Sequence, residues 1–388
     1  MKITNVEAVS LVVPMEKAIK APISLPYADD LAKVVFSEYR TTLVRVYTDE
    51  GITGVGECMV RLAPVATKKI VEYVKPILIG ADPFDIELIW DKLYGAMMNR
   101  GHYKGFYIEA ISGIDVALWD IMGKALNMPV YKLFGGHTNK KMWSYASSLR
   151  FRDMETILAD AQRFIDMGFN AMKIKIGQDP RNYKKDIEVV REVRRAVGDK
   201  ITLMVDANCA YDVKTAIQVG RALEELDIFW FEEPISPDNI EGYEQICKAL
   251  DMRIALGEAD FTRFGYRQFF TRQAIDIIQP NVCRTGGFTE CRKIAALSGT
   301  FHIPYAPHTG SSSAVCMAAT LHLAAALPNF LIYEYMQSDW NKDQKNPLRW
   351  DLVRLPIKSF KDGYIEIEDK PGLGIEINED VVKRYAVE

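Results

Sequence analysis

Apolar and polar positions change rhythm twice along this 388-residue chain. Up to about residue 60 the strand-like runs KITNVEAVSLVV and VVFSEYRTTLVRVYT are followed by DEGITGVGE, whose DEG and TG dipeptides mark the turns of a β-meander. Apolar residues then recur at three- and four-residue spacing over about 65–78, 85–98 and 108–127, which predicts three helices. The first part is therefore α+β, and Gly135 and Gly136 mark its end. From about 142, short β-rich runs alternate with longer amphipathic ones, as in a parallel sheet with crossover helices. The runs are WSYAS (143–147), AMKIKI (171–176), ITLMVD (201–206), IFWFE (228–232), RIALG (253–257), IDIIQ (275–279), HIPYA (302–306) and FLIYE (330–334). Eight strands joined by seven helical segments predict an α/β chain built on a nearly complete (β/α)8 barrel, because right-handed crossovers leave few other windings. After about 340 the alternation stops. The tail, with KDG and PGLG turns and an alternating YIEIE strand, is expected to fold back onto the N-terminal part.

Composition sets limits on this picture. At 48% hydrophobic and 26% charged residues the chain can bury a large core. Its 48 basic and 52 acidic residues are dispersed and leave a net charge of −4, so there is no electrostatic footprint for nucleic acid or an anionic membrane. Six cysteines (Cys58, Cys209, Cys247, Cys283, Cys291 and Cys316) are scattered without a CxxC pair, which reads as reduced thiols in a cytoplasmic protein. The opening MKITNVEAVSL lacks the apolar core of a signal peptide, and the most apolar stretch, 314–327, carries Thr320 and His322 and is too short to span a bilayer.

Catalytic groups of such barrels stand at the C-terminal ends of the strands, so the residues there decide the chemistry. Asp206, Glu232 and Glu258 end three successive strands and are spaced 26 residues apart, one strand-helix unit each. Any one of them could cap the following helix or pair with a lysine. Three carboxylates brought together would repel, however, and a hard divalent cation with oxygen ligands, Mg²⁺, resolves the repulsion while leaving positions for substrate and water. Lys173 and Lys175 are two apart on one strand and face the same mouth; two close ammonium groups disfavour each other's charge, which would lower the pKa of at least one and make it a usable base. A KxK pair alone is a weak signal, and an ordinary basic pair balancing the acids is the alternative.

His308 follows strand seven, opposite Lys175 across an eight-strand ring. A lone histidine is more often a satisfied core or turn residue than a catalyst, but here two proton-transfer groups would flank whatever the metal binds. A metal, a lysine and a histidine around a bound acid describe proton abstraction alpha to a carboxylate, which passes through an enediolate. Glu334, after strand eight, either donates a hydrogen bond to that enediolate or stands behind it as a supporting acid.

KIKIG, VDAN, WFEEP, GEAD, QPNVCRTGG and APHTG, in this order and spacing, resemble the enolase superfamily, specifically its mandelate racemase and acid-sugar dehydratase branch. The resemblance covers nearly the whole chain. It implies a modified (β/α)7β TIM-like barrel over 136–340 beneath an α+β capping domain made from residues 1–135 and completed by the tail 341–388. It also implies Mg²⁺ on Asp206, Glu232 and Glu258, Lys175 as base, Lys173 touching the substrate carboxylate, and Asn208 binding the carboxylate or the metal shell. One position departs: the family pairs its histidine with an aspartate just before the RTGG-like turn, and Asn281 stands there. Its carbonyl is expected to orient the imidazole through the ring N–H but brings no negative charge to support an imidazolium. His308 is then a weaker base, which counts against a two-sided racemase and suits a dehydratase.

Specificity in such a family comes from cap loops, here residues 17–30 and 57–64, with Lys20, Tyr27 and Arg61 as polar contacts. Ser147 and Arg150 at strand one extend the expected substrate site; Arg150 and Arg152 are as readily read as surface arginines. A further basic group would favour a diacid. The reading is of a Mg²⁺-dependent dehydratase converting an aldonic or aldaric acid to a 2-keto-3-deoxy acid, with a small carboxylate and further copies of the same chain as its only partners. A racemase or epimerase using the same enediolate, or a silent paralogue with Asn281, are the alternatives.

Overall fold

The structure, a computed structural model, describes residues 1–22, 33–336, 345–353 and 360–388. Three antiparallel strands, β1 (Ile3–Pro22), β2 (Lys33–Thr48) and β3 (Thr53–Cys58), form the expected meander. The predicted helices follow as α1 (Pro64–Leu78), α2 (Ile86–Met98) and α3 (Phe106–Ala125), and a short α4 (Val130–Leu133) leads towards the barrel. Helix α3 lies so close on the meander that a Cβ at Gly56 would meet the Gly113 carbonyl oxygen at 1.9 Å, so both glycines are required by packing.

The barrel runs β4 (Lys141–Arg150), α5 (Met154–Asp166), β5 (Ala171–Lys175), α6 (Tyr183–Val197), β6 (Thr202–Asp206), α7 (Val213–Glu224), β7 (Ile228–Glu232), α8 (Ile240–Ala249), β8 (Arg253–Leu256), α9 (Thr262–Thr271), β9 (Ile277–Ile278), α10 (Gly287–Thr300), α11 (Ala314–Ala326) and β10 (Tyr333–Met336). Adjacent strands pair in parallel from β4 to β9, and β10 closes onto β4. Local signals start and stop the helices. Asp153 and Asp212 accept hydrogen bonds from the backbone N–H of Thr156 and Thr215, three residues on, at 2.7 and 2.9 Å, and Gly198 at φ +73° ends α6.

Two strands are shorter than the pattern suggested. HIPYA is reduced to one bridging residue, Tyr305, which pairs in parallel with Ile278 on one side and Phe330 on the other, because Pro304 has no N–H to give the ladder. IDIIQ shrinks to Ile277–Ile278, just ahead of Pro280. The ring still closes through these bridges. Beyond it come α12 (Pro347–Trp350), β11 (Phe360–Lys361), β12 (Tyr364–Glu366), α13 (Glu379–Tyr385) and β13 (Ala386–Val387). The YIEIE strand, expected to fold against the N-terminal part, instead pairs antiparallel with β4, placing Ile365 opposite Met142. The tail reaches the cap elsewhere: α12 contacts β2, the Leu373 N–H donates to Asp120 at 2.8 Å and β13 pairs with β1.

Cap and barrel are tied by buried polar contacts. Glu57 of β3 accepts from the N–H groups of Ser313 and Cys316, both at 2.8 Å, at the N-terminus of α11, while Ser112 of α3 accepts from the Gly286 N–H at 2.8 Å. The apolar 314–327 stretch is α11 and is buried on every side. Among the described residues, no helix is long and apolar enough to cross a membrane.

His322 lies inside α11, its Nδ1 accepting from the Tyr131 N–H at 3.3 Å, and burial pulls its pKa down to about 4. A histidine that stays neutral when folded but takes a proton when unfolded loses stability as pH falls through the window from about 6.5 to 4, by roughly 3 kcal/mol over the whole window. Glu109 and Asp115, both pushed up to about 7 by burial, act with the opposite sign there, so the effect is read as a difference. The stability gap between wild type and His322→Gln is expected to change by that amount between pH 7 and 4; a constant gap in denaturant titrations contradicts the assignment.

Candidate active site

Parallel register builds the rim. Arg150 is level with Lys175, Lys175 with Asp206, and Asp206 with Glu232, so these side chains leave four neighbouring strands on one face. Glu258 follows β8 after Gly257, whose φ of +147° and approach to Gln279, 2.7 Å from a built Cβ to its backbone N, exclude a side chain there. Ligand oxygens of Asp206, Glu232 and Glu258 lie within 4.8 Å of one another, and all three residues are buried. The floor below is apolar: Tyr145, Ala171, Met204, Trp230, Ala255, Ile277, Ala306 and Ile332 fill the barrel interior and keep bulk water from the charges above.

Those charges are matched one by one. Lys173 binds both oxygens of Glu232 at 2.8 and 2.9 Å and reaches Glu334 at 3.2 Å and Asp206 at 3.5 Å. Burial works against its charge, but Glu232 and Glu334 outweigh it and push the Lys173 pKa well up, so the expectation that the lysine pair lowers a pKa fails for this member. Nor does Lys173 line the cavity; it lies a layer below, against the Tyr145 ring. Lys175 does line it, bonded to Asp206 and, at 2.8 Å, to Asn208 Oδ1.

The carboxylates respond to these partners. Burial and neighbouring Asp206 push Glu232 well above the usual range, whereas Glu258, despite burial, is held well below it by Arg61 and His308. Burial likewise opposes the Glu334 charge, yet Lys173 and the hydrogen bonds from the Thr309 N–H and Ser147 hold its pKa well down. Its oxygens accept from Ser147 Oγ at 2.7 Å and from the N–H groups of Thr309 and Gly310 at 2.6 and 3.1 Å. Of the two roles open to Glu334, donor or supporting acid, this geometry leaves the second. The buried triad of hard oxygen donors fits a divalent cation, whose charge would relieve the repulsion that raises Glu232.

Asn281 corrects a second expectation. Its Oδ1 accepts from the Cys283 N–H at 2.9 Å, so the amide nitrogen, not the carbonyl, faces His308: Nδ2 donates to the His308 carbonyl oxygen at 3.1 Å and stands 3.3 Å from Nδ1. A flipped amide would set two donors against each other at Cys283. Nδ1 is therefore the acceptor, and the ring carries its proton on Nε2, 3.0 Å from Glu258 Oε2.

Arg61, Ser147, Arg150, Lys175, Asn208, Glu258, His308 and Glu334 all line one cavity of about 270 Å³, just below the roughly 300–1,000 Å³ of ordinary ligand clefts. Asp206, Glu232, Lys173 and Asn281 stand behind its wall. The Lys20 side chain and the whole of Tyr27 lie outside the described residues. Arg152 turns away and pairs with Asp160 at 3.5 Å. The sequence reading missed Glu233, which follows a metal-site carboxylate, and Arg284, three residues after Asn281; both line the cavity. Asn208, Cys209 and Glu233 all adopt left-handed backbone, at φ +44°, +62° and +41°, a strain of order 1–3 kcal/mol per residue that concentrates at this rim.

Comparison with known proteins agrees with this geometry. Residues 156–381 match the family described as enolase C-terminal domain-like, and residues 16–135 match the mandelate racemase / muconate lactonizing enzyme N-terminal domain. The chain is 33% identical to an arabinonate dehydratase of Saccharolobus solfataricus, over 92% of this chain and 94% of that one. It is 35% identical to a D-galactarolactone cycloisomerase of Agrobacterium fabrum, over 91% and 93%. A crystal structure of a racemase from Streptomyces coelicolor with bound magnesium superposes with a TM-score of 0.86 at 27% identity, covering 99% of this chain and 100% of that one.

Proposed function

We propose that this chain, which belongs to the mandelate racemase / muconate lactonizing enzyme family of the enolase superfamily, is a Mg²⁺-dependent dehydratase of a sugar acid. The observation that carries the reading is the buried triad of Asp206, Glu232 and Glu258, whose member Glu258 lines the same cavity as Lys175. The triad would hold the metal. When bound, Mg²⁺ supplies positive charge beside the substrate carboxylate and so eases loss of the proton on the adjacent carbon.

The remaining steps fall to the chain's own residues. Lys175, which lines the cavity, takes the alpha proton at Nζ. Asn208 and Asp206, both bonded to that nitrogen, hold it at the rim. His308 presents an Nε2–H and donates a hydrogen bond without giving up its proton, because Asn281 opposes an Nδ1–H. The proton that leaves with the beta hydroxyl is thus the one Lys175 has just gained. The C–O bond breaks, water departs, and the enol takes a proton on carbon to give the 2-keto-3-deoxy acid. Glu334 stays ionised and fixes Lys173, Ser147 and the Thr309–Gly310 turn. The six cysteines are all free, consistent with a reducing cytoplasm.

Asn281 also argues against the epimerase reading, since a second base on the opposite face needs a free Nε2. Asn281→Asp is expected to reverse the tautomer: a carboxylate would accept Nδ1–H, free Nε2 and favour the imidazolium. Exchange of the alpha proton from the His308 face, followed by NMR in D₂O, should rise by at least about tenfold relative to dehydration. Unchanged exchange in a folded variant overturns the tautomer assignment.

The test of the main reading is incubation with a panel of aldonic and aldaric acids and their lactones, with Mg²⁺ or EDTA, and detection of 2-keto acids. Mg²⁺-dependent 2-keto acid supports it. Silence across the panel from folded protein ends it, and isomerisation of a lactone without 2-keto acid moves the reading to the cycloisomerase named among the relatives.

A further inference from the structure

His308 ends a chain of buried contacts that begins in the cap. Glu57 of β3, Asn281, Cys283 and Cys316 are all fully buried, and His308 lines the cavity. Asn281 Oδ1 accepts twice, from the Cys283 N–H at 2.9 Å and from the Cys316 thiol at 3.6 Å. On its other side the amide nitrogen donates to the His308 carbonyl oxygen at 3.1 Å and stands 3.3 Å from Nδ1. Two donors on one oxygen leave the amide a single orientation, since a flip would turn its NH₂ group against both of them. Of the two oxygens near the Cys316 sulfur, Asn281 Oδ1 is the nearer; Thr320 Oγ1 stands at 3.9 Å and can donate to the sulfur in return.

Both donors are in turn held by the cap. The Met59 N–H, in the segment after β3, donates to the Cys283 carbonyl oxygen at 2.9 Å. The Cys316 N–H donates to Glu57 at 2.8 Å, which fixes the thiol in the first turn of α11. Glu57, Cys283 and Cys316 offer ligand atoms within 4.8 Å of one another, close enough for a metal. Each Glu57 oxygen, however, already accepts two hydrogen bonds. One takes Thr41 Oγ1 and the Ser313 N–H, both at 2.8 Å, and the other takes Ser313 Oγ at 2.6 Å and the Cys316 N–H. That fills the carboxylate's acceptor sites, and burial together with the Cys316 contact pushes the Cys283 thiol pKa well up, away from the thiolate that a metal takes. The cluster holds hydrogen-bond donors in place, not a cation.

We propose that Cys316 is a positioning residue for His308. Its thiol and the Cys283 N–H together set the Asn281 amide, whose nitrogen keeps Nδ1 an acceptor and leaves the ring proton on Nε2, and Glu57 carries that setting from the cap into the barrel. The effect on turnover rests on the sugar-acid dehydratase reading; the effect on the histidine does not.

The experiment uses the full chain in Mg²⁺ with ¹⁵N-labelled histidine, the His308 signals being identified by their absence from His308→Gln. Cys316→Ala removes the thiol donor; Cys316→Val removes it while keeping most of the volume and serves if the alanine variant does not fold. The Nδ1 signal of His308 is expected to move towards that of an unbonded ring nitrogen, or a second, Nδ1–H form to appear, while the other four of the five histidines keep their signals. For any acid that the wild type dehydrates, kcat should fall by about three- to tenfold with KM changed by less than about twofold, the effect of one neutral hydrogen bond. In an Asn281→Ala background the same substitution should cost nothing further, because Cys316 acts through that amide. His308 signals at their wild-type positions in a folded variant overturn the proposal. An equal loss of kcat in the Asn281→Ala background also overturns it and makes Cys316 a packing residue. Moved His308 signals in a protein that turns over no acid remove the dehydratase reading and leave the positioning role standing.

Discussion

Replacing Lys175 by alanine is expected to lower kcat by about 10³- to 10⁴-fold while the protein folds and still responds to Mg²⁺. Lys175 is the lysine that lines the cavity, and its Nζ is held by Asp206 and Asn208 at the rim, where a substrate alpha carbon can approach. Removing it also takes a competing cation from Asp206, so the rise in Tm on adding Mg²⁺ should be kept or enlarged. Exchange of the alpha proton with D₂O separates a base from a structural lysine. It should fall in step with dehydration, and exchange at the wild-type rate would assign the proton to another group. Lys173→Ala cannot serve in its place. That side chain is 1% exposed and neutralises Glu232, Glu334 and Asp206; truncating one partner of such a buried cluster costs about 3–5 kcal/mol, so lost activity would report lost folding.

What could be read from the residues divides along a physical line. The triad was legible because strand-helix units repeat at nearly constant length: two 26-residue steps bring Asp206, Glu232 and Glu258 to one rim, and parallel register makes the first two level. The order of strands was legible because periodicity and right-handed crossover fix it together. Features that depend on contacts between distant segments were hidden. The orientation of the Asn281 amide is decided by the Cys283 N–H and the His308 carbonyl, not by the identity of the residue. Arg284 looks like part of a turn until Glu109, 175 positions earlier, is seen to hold it towards the cavity. Glu334 looks able to donate a proton until Lys173 and two backbone N–H groups are found around it. The pKa of Lys173 failed as a pairwise expectation for the same reason: a neighbouring lysine was visible in KIK, while the acids that outweigh it come from other strands.

Glu232→Gln tests the metal triad itself, and its expected result is loss of the Mg²⁺-dependent rise in Tm together with a fall in kcat of at least about 10³-fold. Glu232 is the middle member of the triad in strand order, and each of its oxygens is already engaged. One accepts from Lys173 at 2.8 Å; the other accepts from Lys173 at 2.9 Å, Gln279 Nε2 at 2.8 Å and Trp230 Nε1 at 3.2 Å. Glutamine keeps the shape but turns one oxygen into an NH₂ group, so a donor must face another donor whichever way the amide is set. The variant is therefore expected to have a lower Tm even in EDTA, which makes the Mg²⁺ response the decisive measurement. For wild type, metal at about one hundred times its Kd should add about 2.7 kcal/mol to unfolding, and the variant should gain almost none. Asp276→Asn is the matching control. That carboxylate accepts from the Ile254 N–H near the start of β8, away from the rim, so its variant should keep the full Mg²⁺ shift whatever its own Tm. A wild-type shift in Glu232→Gln would detach the metal from the triad. A lost shift in Asp276→Asn would show that the response reports general stability and not the site.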